Sequence, residues 1–175
     1  RTPFGEIFSG LFMGFLIPFL SVFIHVTDRN VIGLFFEGAV FTFRADVLEA
    51  ASIFIASVPA VAGIANIMLA NNICDMEDDQ ENRRYTLPLY IGKERALLLY
   101  KWIYYVAYLS AVLGIALKII PITGLLFFLT FILVQRNIRT FEQKQSKAET
   151  FGLAVINFTI MNAVLILAFL LGIGM

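Results

Sequence analysis

The stretch ANIMLANNICDMEDDQENRRYT, residues 65–86, joins an apolar run directly to a dense group of acids followed by two arginines. Asn71, Asp75 and Asp79 are spaced four and four within it. On an α-helix that spacing stacks the three side chains on one face, one turn above another. Nothing between Asn71 and Arg84 is Gly or Pro, so the preceding helix is expected to continue through Asp79. Two carboxylates about 6 Å apart at an effective dielectric near 20 repel by roughly 3 kcal/mol before solvent screening. Both would also sit near the negative end of the helix dipole. A divalent cation removes that objection. Mg²⁺ is commonly held by one or two carboxylates together with substrate phosphates, and Arg83 and Arg84 supply donors for phosphate oxygens.

Plainer readings stand beside this one. Acids flanking an apolar helix are often a solvated loop, and Asp79 with Arg83 would form an ordinary i,i+4 ion pair. A calcium loop starting at Asp75 fails, because its sixth position is Gln80 rather than Gly and its twelfth is Thr86 rather than Glu. A soluble metal-dependent hydrolase lacks an accompanying His.

The rest of the chain sets the context. Of 175 residues, 59% are hydrophobic and 15% charged, which a water-soluble globule could not hide. Segments near 7–27, 50–70, 96–117, 119–135 and 151–175 each carry about the 17–25 mainly apolar residues needed to cross a hydrocarbon core of about 30 Å. An all-α integral membrane bundle of five helices follows, with residues 1–175 as a single transmembrane domain. No segment shows the ten-residue alternation of a membrane β-barrel. VIGLFFEGAVFTF, residues 31–43, is too short to cross and is expected to lie along the outer surface or cap the bundle. Tyr100, Trp102, Tyr104, Tyr105 and Tyr108 suggest an interfacial aromatic group. RNIRTFEQKQSKAET, residues 136–150, reads as a solvated connector.

Net charge is zero, so a basic surface for nucleic acid has no support. The distribution of charge says more. Placing the acidic loop in the cytoplasm puts ten cations on that side: Arg1, Arg83, Arg84, Lys93, Arg95, Lys101, Arg136, Arg139, Lys144 and Lys147. Arg29, Arg44 and Lys118 remain outside, as the positive-inside rule favours. Cys74 is the only cysteine, so no internal disulfide is possible. His25 is the only histidine and reads as interfacial. Asn157 and Asn162 are expected to bond across helices. The chain begins with Arg and lacks the plan of a signal peptide, so an upstream portion is expected.

NNICDMEDDQENRRYTLPLYIGKE, residues 71–94, resembles the second aspartate-rich motif of the UbiA superfamily of intramembrane aromatic prenyltransferases. RTPFGEIFSGLFMGFLIPFL, residues 1–20, is similar to the TPxGE-containing region of its 1,4-dihydroxy-2-naphthoate polyprenyltransferase branch. The resemblance implies a nine-helix bundle of which this chain would be helices five to nine. It also implies a first N-x-x-x-D-x-x-x-D motif that these residues do not repeat, so the chain alone is expected to be inactive without that N-terminal half.

By the same resemblance, Asp75 and Asp79 would hold Mg²⁺ on the diphosphate of a polyprenyl donor. Asn71 would sit beside them, and Asn72, Arg83, Arg84 and Thr86 would be further diphosphate contacts. The implied reaction transfers a polyprenyl group to 1,4-dihydroxy-2-naphthoate in menaquinone biosynthesis, in a bacterial multi-pass cell-membrane protein. Another aromatic acceptor such as 4-hydroxybenzoate is the alternative. A cation transporter or channel fragment is the reading from a different class, and acids gathered at one interface rather than at mid-depth count against it. Glu6 of the TPFGE stretch would line the acceptor's way in or act as a helix cap.

Overall fold

The computed structural model describes residues 4–25 and 31–173. Arg1 and Arg29, named above, and the Thr and Pro of the TPFGE stretch lie outside the described residues. Five helical stretches are long and apolar enough to cross a membrane: Gly5–His25, Val47–Cys74, Lys93–Ala116, Ile122–Gln143 and Gly152–Gly172. Each overlaps an expected span.

The first stretch is α1 (Gly5–Leu11), a π-helical turn (Phe12–Leu16) and α2 (Ile17–His25). Pro18 explains the widened turn: it has no N–H, and its ring would crowd the carbonyl of Gly14 in a regular α-helix. Gly14 also permits a close crossing. A methyl group there would collide with the backbone of Val61 on the next span. Gly10 lies four residues earlier against the same Val61 and Ala65, so the pair forms a small-xxx-small contact.

Between the first two spans, the residues expected to lie along the outer surface or cap the bundle form an antiparallel hairpin, β1 (Ile32–Glu37) with β2 (Val40–Ala45). Gly38, at φ +62°, holds the first place of its two-residue turn, the arrangement of a type II′ hairpin. Phe on both strands, with Ile32 and Val40, favours extended backbone.

The second span, α3 (Val47–Cys74), is the central helix and packs against α1, α6 (Lys93–Ala116) and α8 (Gly152–Gly172). Its Ala- and Gly-rich face allows this, with Ala62, Gly63 and Ala70 all buried. After it come two short helices, α4 (Met76–Glu81) and α5 (Leu87–Ile91). The third span is α6 (Lys93–Ala116). The fourth is 3₁₀-helical over Ile122–Thr130 and continues as α7 (Phe131–Gln143), so the region expected to be a connector from residue 136 is helical for eight more residues. The last span is α8 (Gly152–Gly172).

Three of the five aromatics on the third span, α6 (Lys93–Ala116), point into the bundle. Tyr100, Tyr104 and Tyr108 repeat every four residues and face inward, at 0%, 0% and 6% exposure, whereas Trp102 faces out. Tyr100 packs on Phe141, and Tyr108 on Phe127 with its hydroxyl 2.8 Å from Thr130 Oγ1. A stripe of hydroxyl-bearing rings thus seals α6 to the fourth span.

Candidate functional site

The acidic segment does not continue α3 as one helix. The helix ends at Cys74, Asp75 takes the capping position at φ −95° and ψ 9°, and α4 restarts at Met76. The backbone nonetheless carries the register across, since Asp75 N–H donates to Asn71 O at 3.0 Å and Asp79 N–H to Asp75 O at 2.7 Å. The break changes the electrostatics. Asp75 still meets the negative end of α3, but Asp79, with Glu77 and Asp78, lies in the first turn of α4. Acids are favourable there. The dipole penalty anticipated for both acids of an unbroken helix falls on Asp75 alone.

The side chains of Asp75 and Asp79 differ as well. Asp79 is 6% exposed. Asp75 is partly open, and its Oδ2 receives Asn71 Nδ2 at 3.2 Å and Lys147 Nζ at 2.5 Å. Lys147 comes from the loop between α7 and α8. Thr150 winds that loop tightly, its hydroxyl donating to Lys144 O at 2.8 Å and accepting from Ser146 N–H at 2.9 Å, and Lys144 pairs with Glu149. Sequence reasoning put Lys147 on the same side of the membrane as the acids but missed the pairing. A separation of 72 residues carries no local signal.

Asn72, one residue from Asn71, turns the other way. Its Nδ2 donates to Glu6 Oε1 at 2.7 Å, tying α3 to the start of α1. Glu6 is 3% exposed, and its second oxygen, Oε2, is buried without a hydrogen-bond partner among the described residues. Thr86 Oγ1 is also buried and unpartnered. Thr86 stands at the cap of α5 yet makes no capping bond with its side chain.

Arg83 and Arg84 end α4. In place of the Asp79–Arg83 ion pair of the plainer reading, the described residues show a backbone arrangement: Arg83 N–H donates to Gln80 O at 3.2 Å and Arg84 N–H to Asp79 O at 2.7 Å. This is a Schellman turn, whose left-handed position is normally Gly. Here Arg83 occupies it at φ +53°. Both arginine side chains are exposed beside the acids.

Asn71, Asn72, Asp75, Asp79 and Thr86 therefore gather with Glu6 and Lys147 at one end of the bundle. His25 lies at the other end, its Nδ1 2.7 Å from Ser21 O. Asn157 packs as expected, accepting Asn137 Nδ2 at 2.7 Å across two helices. Asn162 instead bonds within its own helix, to Phe158 O at 2.8 Å. Among the described residues, no three His, Cys, Asp or Glu side chains converge as a ready metal cage.

The model of the UbiA prenyltransferase family matches residues 1–164. The 1,4-dihydroxy-2-naphthoate octaprenyltransferase of Bacillus subtilis (strain 168) is 33% identical over 111 residues, which cover 63% of this chain and 29% of that protein. The chain thus matches less than a third of that relative's length. No solved structure matches the chain.

Proposed function

The chain belongs to the UbiA prenyltransferase family, and on that premise we propose that its acidic end binds the diphosphate of a polyprenyl donor for transfer to an aromatic acceptor. The observation that carries the proposal is Asp75: a partly open carboxylate at the unfavourable end of a long apolar helix, held by Asn71 and Lys147 and by no helix-capping N–H.

The donor set suits Mg²⁺. Two carboxylates and an amide oxygen leave most ligand positions to diphosphate and water, which is how Mg²⁺ is usually held. Asp75 and Asp79 would hold it, with Asn71 beside them. When bound, the ion would neutralise charge on the departing diphosphate. The chain's own cations would add to this: Arg83 and Arg84 are exposed next to the acids, and Lys147 can move from Asp75 to a phosphate oxygen. Asn72 and Thr86 would complete the polar wall. Residues 1–175 act here as one transmembrane domain. The other half of the site would come from the further N-x-x-x-D-x-x-x-D motif that the resemblance implies. The excess of cations on the acidic side supports a cytoplasmic position for this end of a bacterial membrane protein.

For the acceptor we propose 1,4-dihydroxy-2-naphthoate, in menaquinone biosynthesis. The likeness to the Bacillus subtilis protein supports this, and 4-hydroxybenzoate is the competing choice. The test is prenyl transfer in membranes carrying the full-length protein, with farnesyl diphosphate and Mg²⁺ and both acceptors offered in parallel. A naphthoate product that Asp75→Asn and Asp79→Asn both abolish is the expected result. A benzoate product moves the acceptor assignment. Full activity in both variants, or cation flux in liposomes with no transfer, would sink the donor-site reading.

A further inference from the structure

We infer that the outward face of α7 holds an anionic phospholipid of the leaflet on the acidic side of the bundle, with Arg136 and Arg139 on its phosphate and Ile132 along its acyl chain. The inference goes beyond prenyl transfer and does not depend on it.

A groove of about 400 Å³ runs along this face, lined by residues of α7. It carries two full positive charges, Arg136 and Arg139, and no carboxylate. Glu142, three residues from Arg139, lies outside it. Both arginines are exposed, and neither guanidinium has an ion-pair, hydrogen-bond or ring partner among the described residues. Lys144 and Lys147 nearby are both paired, with Glu149 and Asp75. Two free like charges three residues apart on one helix face repel each other. An anion relieves them, and the guanidinium fork matches the oxygens of a phosphate.

Depth in the membrane decides which anion. The fourth span rises about 2.0 Å per residue over its 3₁₀ stretch from Ile122 and about 1.5 Å per residue in α7, which puts Arg136 about 26 Å and Arg139 about 30 Å along it. With Lys118 and Ile122 at the far face of a hydrocarbon layer about 30 Å thick, both guanidinia stand at the level of the near leaflet's phosphates. Leu129 and Ile132 continue the same stripe toward the membrane centre, 74% and 81% exposed. A ligand that satisfies the whole stripe is anionic at its head and apolar below it, which a soluble anion is not.

Helix α6 adds to the charge. Tyr105 Oη donates to Gln135 Oε1 at 3.1 Å, setting the level of these antiparallel helices and leaving the Gln135 amide nitrogen as a donor. One turn nearer the acidic end on each helix stand Lys101 and Arg139, and Lys101 Nζ lies 6.0 Å from the Tyr105 ring centroid. Basic pockets against spans on one side of a membrane recognise anionic headgroups in this way. A zwitterionic headgroup brings its own cation, which the arginines repel.

The test offers the purified full-length protein, in neutral detergent, equal amounts of phosphatidylglycerol and phosphatidylcholine with matched chains. Native mass spectrometry counts the lipids retained. The unaltered protein should prefer phosphatidylglycerol on the order of twentyfold. Arg136→Gln and Arg139→Gln should each lower that preference about fivefold, the scale for one cation facing an anionic lipid surface, and together bring it near parity. Arg44→Gln with Lys118→Gln removes the same charge at the other end of the bundle and should leave the preference intact. Absence of a preference in the unaltered protein overturns the inference. So does an equal fall in the two double variants, which would make the effect one of net charge. Release of the retained lipid by inorganic phosphate would overturn it too, as the mark of a soluble-anion site. If the double arginine variant does not accumulate, the two single variants are read by the same criteria.

Discussion

Helix α3 carries an aspartate at each end, and the two live by different rules. Asp46 caps the N-terminus: its Oδ1 accepts the N–H groups of Leu48 and Glu49, both at 3.0 Å, and its charge meets the positive end of the dipole. Stability alone accounts for it. Asp75 caps the C-terminus, where its charge is opposed, and its Oδ2 is held only by an amide and a lysine from distant chain. Asp75 also precedes α4 at its N-cap, yet its side chain makes no capping bond there. One aspartate spends its oxygen on its own helix, and the other leaves its helix N–H groups unbonded, as the proposed donor site requires.

The largest expected effect would break this contrast at its functional end. Asp75→Asn should lower kcat/KM for prenyl transfer by at least about a hundredfold, the scale of losing a group that stabilises a leaving anion. Melting of the detergent-solubilised protein should barely change, because relief of the dipole offsets the loss of a solvent-facing ion pair. A large drop in stability with activity retained would reverse the assignment. Next comes Lys147→Gln, which should raise the KM for the prenyl diphosphate about tenfold if the lysine moves onto phosphate. More than half of the lysine side chain is exposed, so its bridge to Asp75 contributes little to the empty protein.

At the other end of the helix, Asp46→Ala should destabilise by about 1 kcal/mol and leave the activity of folded protein unchanged. Loss of activity there would mean that the two ends are coupled. The smallest effect sharpens the same distinction one turn beyond Asp79. Arg83→Gly should stabilise the left-handed turn by roughly 0.5–1 kcal/mol. A simultaneous rise in donor KM would show why arginine stands where glycine fits better.

Much of this was legible before any coordinates. Five spans follow from length and apolarity, because lipid leaves a chain few ways to cross. The Asn71, Asp75, Asp79 spacing was equally plain, since the break at Asp75 preserves the four-residue register that a continuous helix would have given. The hairpin was not legible: its Phe and Val fall on both faces of each strand, so no alternation separates it from a short apolar helix. The tyrosines of α6 misled for a related reason. Their crowding suggests a membrane interface, and only the four-residue repeat of Tyr100, Tyr104 and Tyr108 reveals an inward stripe. Glu6 and Lys147 depend on contacts with Asn72 and Asp75 across 66 and 72 residues, which pattern within one segment cannot supply.

The length of α3 has a consequence for supply. Its 28 residues make a rod of about 42 Å, at about 1.5 Å per residue, against a hydrocarbon layer of about 30 Å. Shared between the two ends, the surplus of about 12 Å leaves about 6 Å beyond each face, which sets Asp75 near the depth of lipid headgroups. A prenyl diphosphate dissolved in the same leaflet already holds its charged end at that height. It can reach the protein by sideways diffusion without being pulled through the layer or released to water. Turnover should then follow the surface density of donor in the leaflet, so that diluting it with inert lipid slows the reaction even when its amount per volume of suspension is held constant.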